Sequence, residues 1–222
     1  MKNSYYKLML VTQCGSTPTE TYLDFVTQCT QGGITALQLR EKSMPYDKLV
    51  ALGYKLKEIL APYSIPLIVN DSIEVALEID ADGVHLGQTD GDPFEARKRL
   101  GPKKLIGVSI NYINELKAGN IAPINYVGIG AVFPTTNKRD VATVWGLSGI
   151  QKLARLSQHP TIAIGGITVN NATQVMQAGA SGIAVIGAIH NAQNPKATAQ
   201  ALRNAIGEGA TSTQSLQCNT KP

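Results

Sequence analysis

Eight short apolar segments alternate with longer segments of helical periodicity along the chain, and this alternation constrains the fold more than any other feature of the sequence. Each apolar segment is rich in residues that favour strands and has the length of a strand in a parallel sheet. The predicted strands are 7–12, 36–39, 67–70, 83–86, 105–109, 126–128, 161–164 and 182–186.

The segments between these strands carry apolar residues three and four positions apart, as in Leu49, Leu52, Leu56 and Ile59. Helices are predicted at 19–31, 45–61, 92–100 and 169–178. Right-handed crossovers that join eight parallel strands close most simply into an α/β fold, a single (β/α)8 or TIM barrel. A doubly wound open sheet is the alternative, and it is disfavoured because no G-x-G-x-x-G motif follows the first strand.

The 222 residues fit one domain of this kind, and no linker divides them. We expect a catalytic barrel at 1–207. The following segment, 208–222, is rich in Gly, Ser and Thr and has no apolar periodicity, so it is predicted to be a short, flexible and disordered tail.

The net charge of +4 is mild, and aromatic residues make up only 5% of the chain. The densest basic cluster, Arg97-Lys98-Arg99, lies at a predicted helix C-terminus, where cations complement the helix dipole. We therefore expect no nucleic-acid partner and favour small phosphorylated substrates. The sequence leaves a homo-oligomer open.

Three cysteines, Cys14, Cys29 and Cys218, are widely spaced and form neither a disulfide framework nor a zinc motif. They predict a reducing, cytoplasmic location. The N-terminal apolar run Leu8-Met9-Leu10-Val11 is too short for a signal segment or a membrane span, so no membrane association is expected.

Active residues of such a barrel lie at the C-terminal ends of the strands. The second strand ends in Gln38-Leu39-Arg40-Glu41-Lys42, where alternation sends Gln38, Arg40 and Lys42 to one side. An amide, a guanidinium and an ammonium group suit a polyphosphate. A salt bridge with Glu41 at the barrel rim is the structural alternative.

Asn70 and Asp71 follow the third strand, and Asp90 follows the fourth. Two carboxylates from adjacent strand ends, without His or Cys ligands nearby, favour Mg²⁺. The alternative is that Asp71 caps the next helix and Asp90 shapes a turn.

Polar residues also follow the sixth strand, in the loop Phe133-Pro134-Thr135-Thr136-Asn137-Lys138. A loop of this length is typical of a functional segment, although a plain surface loop is the alternative. The last two strands end in Gly165-Gly166 and Ile186-Gly187, where barrels commonly bind phosphate. Tight packing of the turns would explain these glycines equally well.

Together, these motifs closely resemble the thiamine-phosphate synthase family, in order along residues 7–206. The motifs are 38–42, Asn70-Asp71, 83–88 with Asp90, 107–109, 126–138 and 163–167. The resemblance implies joining of 4-amino-5-hydroxymethyl-2-methylpyrimidine diphosphate to 4-methyl-5-(2-hydroxyethyl)thiazole phosphate. The products would be thiamine phosphate and pyrophosphate, formed by a dissociative, magnesium-assisted displacement without a covalent enzyme intermediate.

By matching motif positions, the resemblance implies roles for individual residues. The pyrimidine diphosphate would contact Gln38, Leu39, Arg40, Glu41, Lys42, Asn70, Ser109 and Lys138. The thiazole phosphate would contact Thr135, Thr136, Asn137, Gly166, Ile186 and Gly187. Asp71 and Asp90 would hold Mg²⁺, and catalytic roles would fall to Arg40, Lys42, Ser109 and Lys138.

The chain departs from the family pattern at Asn137, where Thr is common, and at Gly187, where Ser is common. We expect altered thiazole phosphate affinity there rather than lost activity. His85 is interpreted as structural. Two rival functions remain: the thiazole tautomerase paralogue of the same fold, and a non-catalytic phosphate-binding descendant.

Overall fold

The computed structural model describes residues 4–136 and 143–214, with side chains at 5–136 and 143–207. The strands are β1 (Leu8–Val11), β2 (Ala36–Leu39), β3 (Leu67–Asn70), β4 (Gly83–Leu86), β5 (Leu105–Ile110), β6 (Tyr126–Gly130), β7 (Thr161–Ile164) and β8 (Gly182–Val185). The α-helices are α1 (Thr19–Gln31), α2 (Tyr46–Leu60), α3 (Ile73–Glu78), α4 (Pro93–Leu100), α5 (Ile113–Ile121), α6 (Gly146–Leu156), α7 (Val169–Gln177), α8 (Gly187–His190) and α9 (Pro195–Gln214).

The eight strands form a closed, all-parallel barrel in sequence order, which confirms the predicted fold. Closure takes place between the first and last strands, where Leu8 lies opposite Ile183 and Leu10 lies opposite Val185. The predicted strands agree with the observed ones to within two residues at each end. β1 is one residue shorter at both ends, β8 ends one residue earlier, and β5 and β6 continue for one and two residues more.

Side chains along each strand alternate between two apolar layers. Leu8 and Leu10 point outward and pack in the layer between barrel and helices. Met9 and Val11 point inward, where they pack with Tyr126 and other residues inside the barrel. This two-residue period continues at the C-terminal ends of the strands, where it decides which polar side chains face the barrel axis.

The last helix, α9, continues to Gln214, beyond the predicted boundary at residue 207. The remainder of the predicted tail, 215–222, lies outside the described residues. Within the described part of the chain, no helix is both long and apolar enough to span a lipid bilayer.

The closing strand pair predicts a large effect for Gly182→Ala. A Cβ at this position would collide with the carbonyl group of Tyr6 on the neighbouring chain segment, whose backbone cannot move aside without disturbing β1. We expect the free energy of unfolding in urea to fall by roughly 1–3 kcal/mol.

Gly207→Ala is the matched control, because nothing lies within 4 Å of the added methyl group. Inside a helix this change should stabilise by about 0.5–1 kcal/mol. Equal urea midpoints for the two variants would contradict the packing explanation.

Candidate active site

The C-terminal ends of the strands surround a cavity of about 920 Å³. Twelve of the residues to which the sequence assigns a site role line it. They are Gln38, Arg40, Lys42, Asn70, Asp71, Asp90, Ser109, Thr135, Thr136, Gly166, Ile186 and Gly187. Two more predicted site residues, Asn137 and Lys138 in the loop after β6, lie outside the described residues.

Arg40 and Lys42 reach the cavity from the end of β2. The backbone N–H of Arg40 donates to the hydroxyl of Thr12 at 2.8 Å, which holds the segment against the end of β1. Among the described residues, neither cation forms a salt bridge. Two positive charges at the cavity are therefore available to an anionic ligand.

The side chains of Leu39 and Glu41 point away from the cavity, although both were predicted to contact the diphosphate. Leu39 is buried in the outer layer, where its Cδ2 atom lies 3.4 Å from the position that a Cβ on Gly53 of α2 would take. Glu41 accepts a hydrogen bond at 2.9 Å from the backbone N–H of Cys14. Alternation explains both directions, and the rim salt bridge that was the structural alternative for Glu41 is not found in the described part of the chain.

Asp71 and Asp90 form a carboxyl pair at the cavity wall. The pKa of Asp71 is raised to about 6, first by burial and second by a hydrogen bond with Asp90 and the charge of that residue. The charges of Lys42 and Arg40 act in the opposite direction. Two carboxyl groups in contact repel each other when both are ionised, so a cation between them would be favoured.

The structure also tests the capping alternative for Asp71. The side chain that caps α3 belongs to Ser72, whose hydroxyl accepts from the backbone N–H of Val75 at 3.1 Å. Asp71 precedes the cap in a left-handed conformation with φ 67°. Asp90 does shape a turn, because it accepts from the N–H of Gly87 at 2.9 Å. Capping therefore does not explain Asp71.

Oxygen donors of this kind fit magnesium. No group of three or more His, Cys, Asp or Glu side chains that could hold a metal is found among the described residues. Mg²⁺ is commonly bound by one or two carboxylates together with substrate phosphates, so the pair formed by Asp71 and Asp90 meets its requirements.

The floor of the cavity carries hydrogen bonds that the sequence did not reveal. His85 lies 3.0 Å from the Tyr126 hydroxyl through Nδ1 and 2.9 Å from the Ser109 hydroxyl through Nε2. Tyr126 is 1% exposed, and its ring fills the space left by Gly107 on the adjacent strand. The only sequence signal for this arrangement is a large polar aromatic residue opposite a glycine.

The model of the thiamine monophosphate synthase family matches residues 8–189. The chain belongs to this family. It is 49% identical over 209 residues to a thiamine-phosphate synthase of Chlamydia abortus, covering 94% of this chain and 99% of the relative. A relative of the same name from Methanobrevibacter smithii is 39% identical over 202 residues, covering 91% and 96% of the two chains.

Comparison with solved structures agrees with the assignment of the chain to the thiamine monophosphate synthase family. A thiamine phosphate pyrophosphorylase from Pyrococcus furiosus superimposes with a TM-score of 0.85 at 33% identity, covering 93% of this chain and 98% of that one. A 3-hexulose-6-phosphate synthase, at 18% identity and a TM-score of 0.66, is similar in fold alone.

Gly165 and Gly166, two of the residues predicted to bind phosphate, have a packing role in this family member. Gly165 and Gly166 have φ values of 99° and 65°, which favour glycine. A Cβ on Gly165 would overlap Ala131, and one on Gly166 would overlap Phe133. These contacts fit the tight-turn interpretation, and phosphate binding at Gly166 stays a prediction.

The carboxyl pair predicts a specific effect of Asp90→Asn. Burial, the largest cause of the raised pKa of Asp71, remains, but the change removes the charge and the carboxyl group of Asp90, so this pKa should fall below about 6. The measurement is a carboxyl ¹³C NMR titration of the metal-free protein.

The control is Asp24→Asn, which removes an equal charge from the exposed face of α1. It should leave the titration of Asp71 unchanged. If Asp90→Asn left the pKa of Asp71 near 6, the two carboxyl groups would not be interacting.

Proposed function

We propose that this chain joins 4-amino-5-hydroxymethyl-2-methylpyrimidine diphosphate to 4-methyl-5-(2-hydroxyethyl)thiazole phosphate and releases thiamine phosphate and pyrophosphate. Membership of the thiamine monophosphate synthase family supports this reaction, and so do the names of the relatives from Chlamydia abortus and Methanobrevibacter smithii. We further propose that the enzyme acts in the cytoplasm, in line with the free thiols of Cys14 and Cys29.

One observation carries the proposal: two cations without ion pairs in the described structure face the same cavity as a carboxyl pair. A diphosphate leaving group gains negative charge as its bond to the methylene carbon breaks. Arg40 and Lys42 can neutralise that charge in the leaving group, and Lys138 is proposed to join them. Asn70 and the hydroxyl of Ser109 provide additional polar contacts in the same cavity.

Asp71 and Asp90 would hold magnesium. When bound, Mg²⁺ supplies positive charge to the diphosphate oxygens and lowers the energy of the departing pyrophosphate. Without the ion, Asp71 retains a proton up to a pH of about 6, because burial and Asp90 oppose its ionisation. Metal binding should therefore compete with that proton and weaken as the pH falls below 6.

The reaction is proposed to be dissociative, with a pyrimidine carbocation and no covalent enzyme intermediate. No cysteine is among the described residues that line the cavity. Burial, followed by a hydrogen bond to Glu41, raises the pKa of Cys14 to about 12, so a thiolate nucleophile is not available from this residue. Catalysis would then depend on positioning and on electrostatic stabilisation.

The thiazole phosphate is proposed to bind on the opposite side of the cavity. Thr135 and Thr136 line it from the loop after β6, and Gly166, Ile186 and Gly187 line it from the ends of β7 and β8. Asn137 is proposed to complete this subsite. Since Gly187 has no side chain, only its backbone can contribute a hydrogen bond.

The decisive experiment measures pyrophosphate release by the purified protein with both precursors and Mg²⁺, and then with each component omitted in turn. Release that requires all three supports the proposed synthase. Turnover of a thiazole carboxylate phosphate without metal would instead support the tautomerase, and binding without turnover would support the non-catalytic descendant.

Arg40→Ala should lower kcat/KM for pyrophosphate release by about 100- to 1000-fold, because a charge that stabilises the leaving group is lost. The thermal midpoint should hardly change, since the guanidinium makes no ion pair in the described structure.

Lys48→Ala is the matched control. It removes a positive charge from the exposed side of α2 and should leave kcat/KM unchanged. Near-normal activity of Arg40→Ala would refute the diphosphate assignment.

A further inference from the structure

Four polar side chains from four different strands form one line across the cavity floor: Gln38, Tyr126, His85 and Ser109. The Tyr126 hydroxyl is 3.0 Å from His85 Nδ1, and His85 Nε2 is 2.9 Å from Ser109 Oγ. Of these four, only Gln38 and Ser109 are predicted from the sequence to contact the pyrimidine diphosphate. The two middle residues have no such role.

The direction of these hydrogen bonds starts at Gln38. Its Nε2 atom lies 3.5 Å from the sulfur of Met9, which can only accept a hydrogen bond. The opposite orientation of the amide would place a carbonyl oxygen against the sulfur lone pairs. Burial raises the pKa of Tyr126, and the Gln38 amide acts in the opposite direction, as an N–H donor beside the phenol oxygen does.

Each later bond follows from the first. The buried hydroxyl of Tyr126 must donate its hydrogen, and the acceptor within reach among the described residues is His85 Nδ1 at 3.0 Å, with the Gln38 amide acting as a donor on the other side. In the neutral form of the imidazole, the hydrogen then lies on Nε2 and is donated to Ser109 Oγ. Among the residues that the structure describes, two groups then remain for a ligand: the carbonyl oxygen of Gln38, which accepts, and the hydroxyl hydrogen of Ser109, which donates.

We propose that Tyr126 and His85 are positioning residues that hold the Gln38 carbonyl oxygen and the Ser109 hydroxyl hydrogen towards the cavity. This inference rests on the proposed function, because the acceptor of Gln38 and the donor of Ser109 each match one group of the proposed pyrimidine substrate. The exocyclic amino group of the pyrimidine needs an acceptor, and the diphosphate needs a donor. The reverse direction would present N–H groups to the amino group and lone pairs to the anion.

The donation from His85 to Ser109 also decides whether Ser109 could act as a nucleophile. A serine hydroxyl 2.9 Å from a histidine nitrogen has the geometry of a nucleophile with its general base. A base must accept the serine hydrogen, whereas Nε2 of His85 donates. His85 therefore orients Ser109 and does not activate it.

The tautomer can be measured without substrate or turnover. In the full chain labelled with ¹⁵N-histidine, long-range ¹H–¹⁵N correlations should show neutral His85 with its hydrogen on Nε2. The chain has three histidines, so the spectra of His159→Gln and His190→Gln assign the signals by elimination. A hydrogen on Nδ1 would overturn the proposal.

Kinetics provide the second test. Tyr126→Phe keeps the ring but releases both neighbours, so KM for the pyrimidine diphosphate should rise about tenfold, with KM for the thiazole phosphate within about twofold of wild type. Tyr6→Phe is the matched control. Its ring packs on Tyr126 at a centroid distance of 5.3 Å, and its hydroxyl is not part of the line, so both KM values should stay unchanged.

A third comparison concerns His85. The Nε2 of a glutamine can replace the donor to Ser109, so His85→Gln should retain a lower KM for the pyrimidine diphosphate than His85→Leu. Equal KM changes for both substrates in Tyr126→Phe, or a loss of stability alone, would refute positioning. If the wild type released no pyrophosphate, the proposed function would fail, while the tautomer measurement would still decide the direction of the line.

Discussion

The closed parallel barrel imposes one constraint on which the candidate active site depends: successive side chains in a strand must face opposite layers. Closure between β1 and β8 leaves no free sheet edge, so the inward and outward directions are set for all eight strands at once. Met9 and Gln38 thereby face the axis, whereas Leu39 faces α2. The same alternation separates Arg40 and Lys42 from Glu41 at the barrel rim.

Repulsion between two carboxyl groups in the cavity follows from this arrangement. The barrel brings Asp71 and Asp90 together from the ends of neighbouring strands, partly shielded from water, and the result is a carboxyl group that holds its proton to a pH of about 6. The charges of Lys42 and Arg40 lower the pKa of Asp71 but do not bring it back to its ordinary value. A cavity that presents two cations beside a carboxyl pair is well suited to bind a metal ion and a phosphorylated ligand together.

The cavity floor depends on packing between strands rather than along them. Tyr126 can lie within the barrel because Gly107, its partner in the β5–β6 register, has no side chain. Gly128 likewise leaves room for the imidazole of His85. These two glycines allow the ring of Tyr126 and the imidazole of His85 to meet beside the apolar side chains of Met9 and Val11. The hydrogen bond between Tyr126 and His85 offsets part of the cost of burying their polar groups.

The sequence by itself determined the order of strands and helices, the barrel, and the strand ends that carry Arg40, Lys42, Asp71 and Asp90, because these depend on local periodicity and on the edge where parallel strands end. Only the tertiary structure decided that Glu41 turns to Cys14, that Ser72 caps α3, that Gly166 packs against Phe133, and that His85 joins Tyr126 to Ser109. Those contacts link residues from different strands and loops, and their distances are set by barrel register and packing, which no local pattern in the chain records.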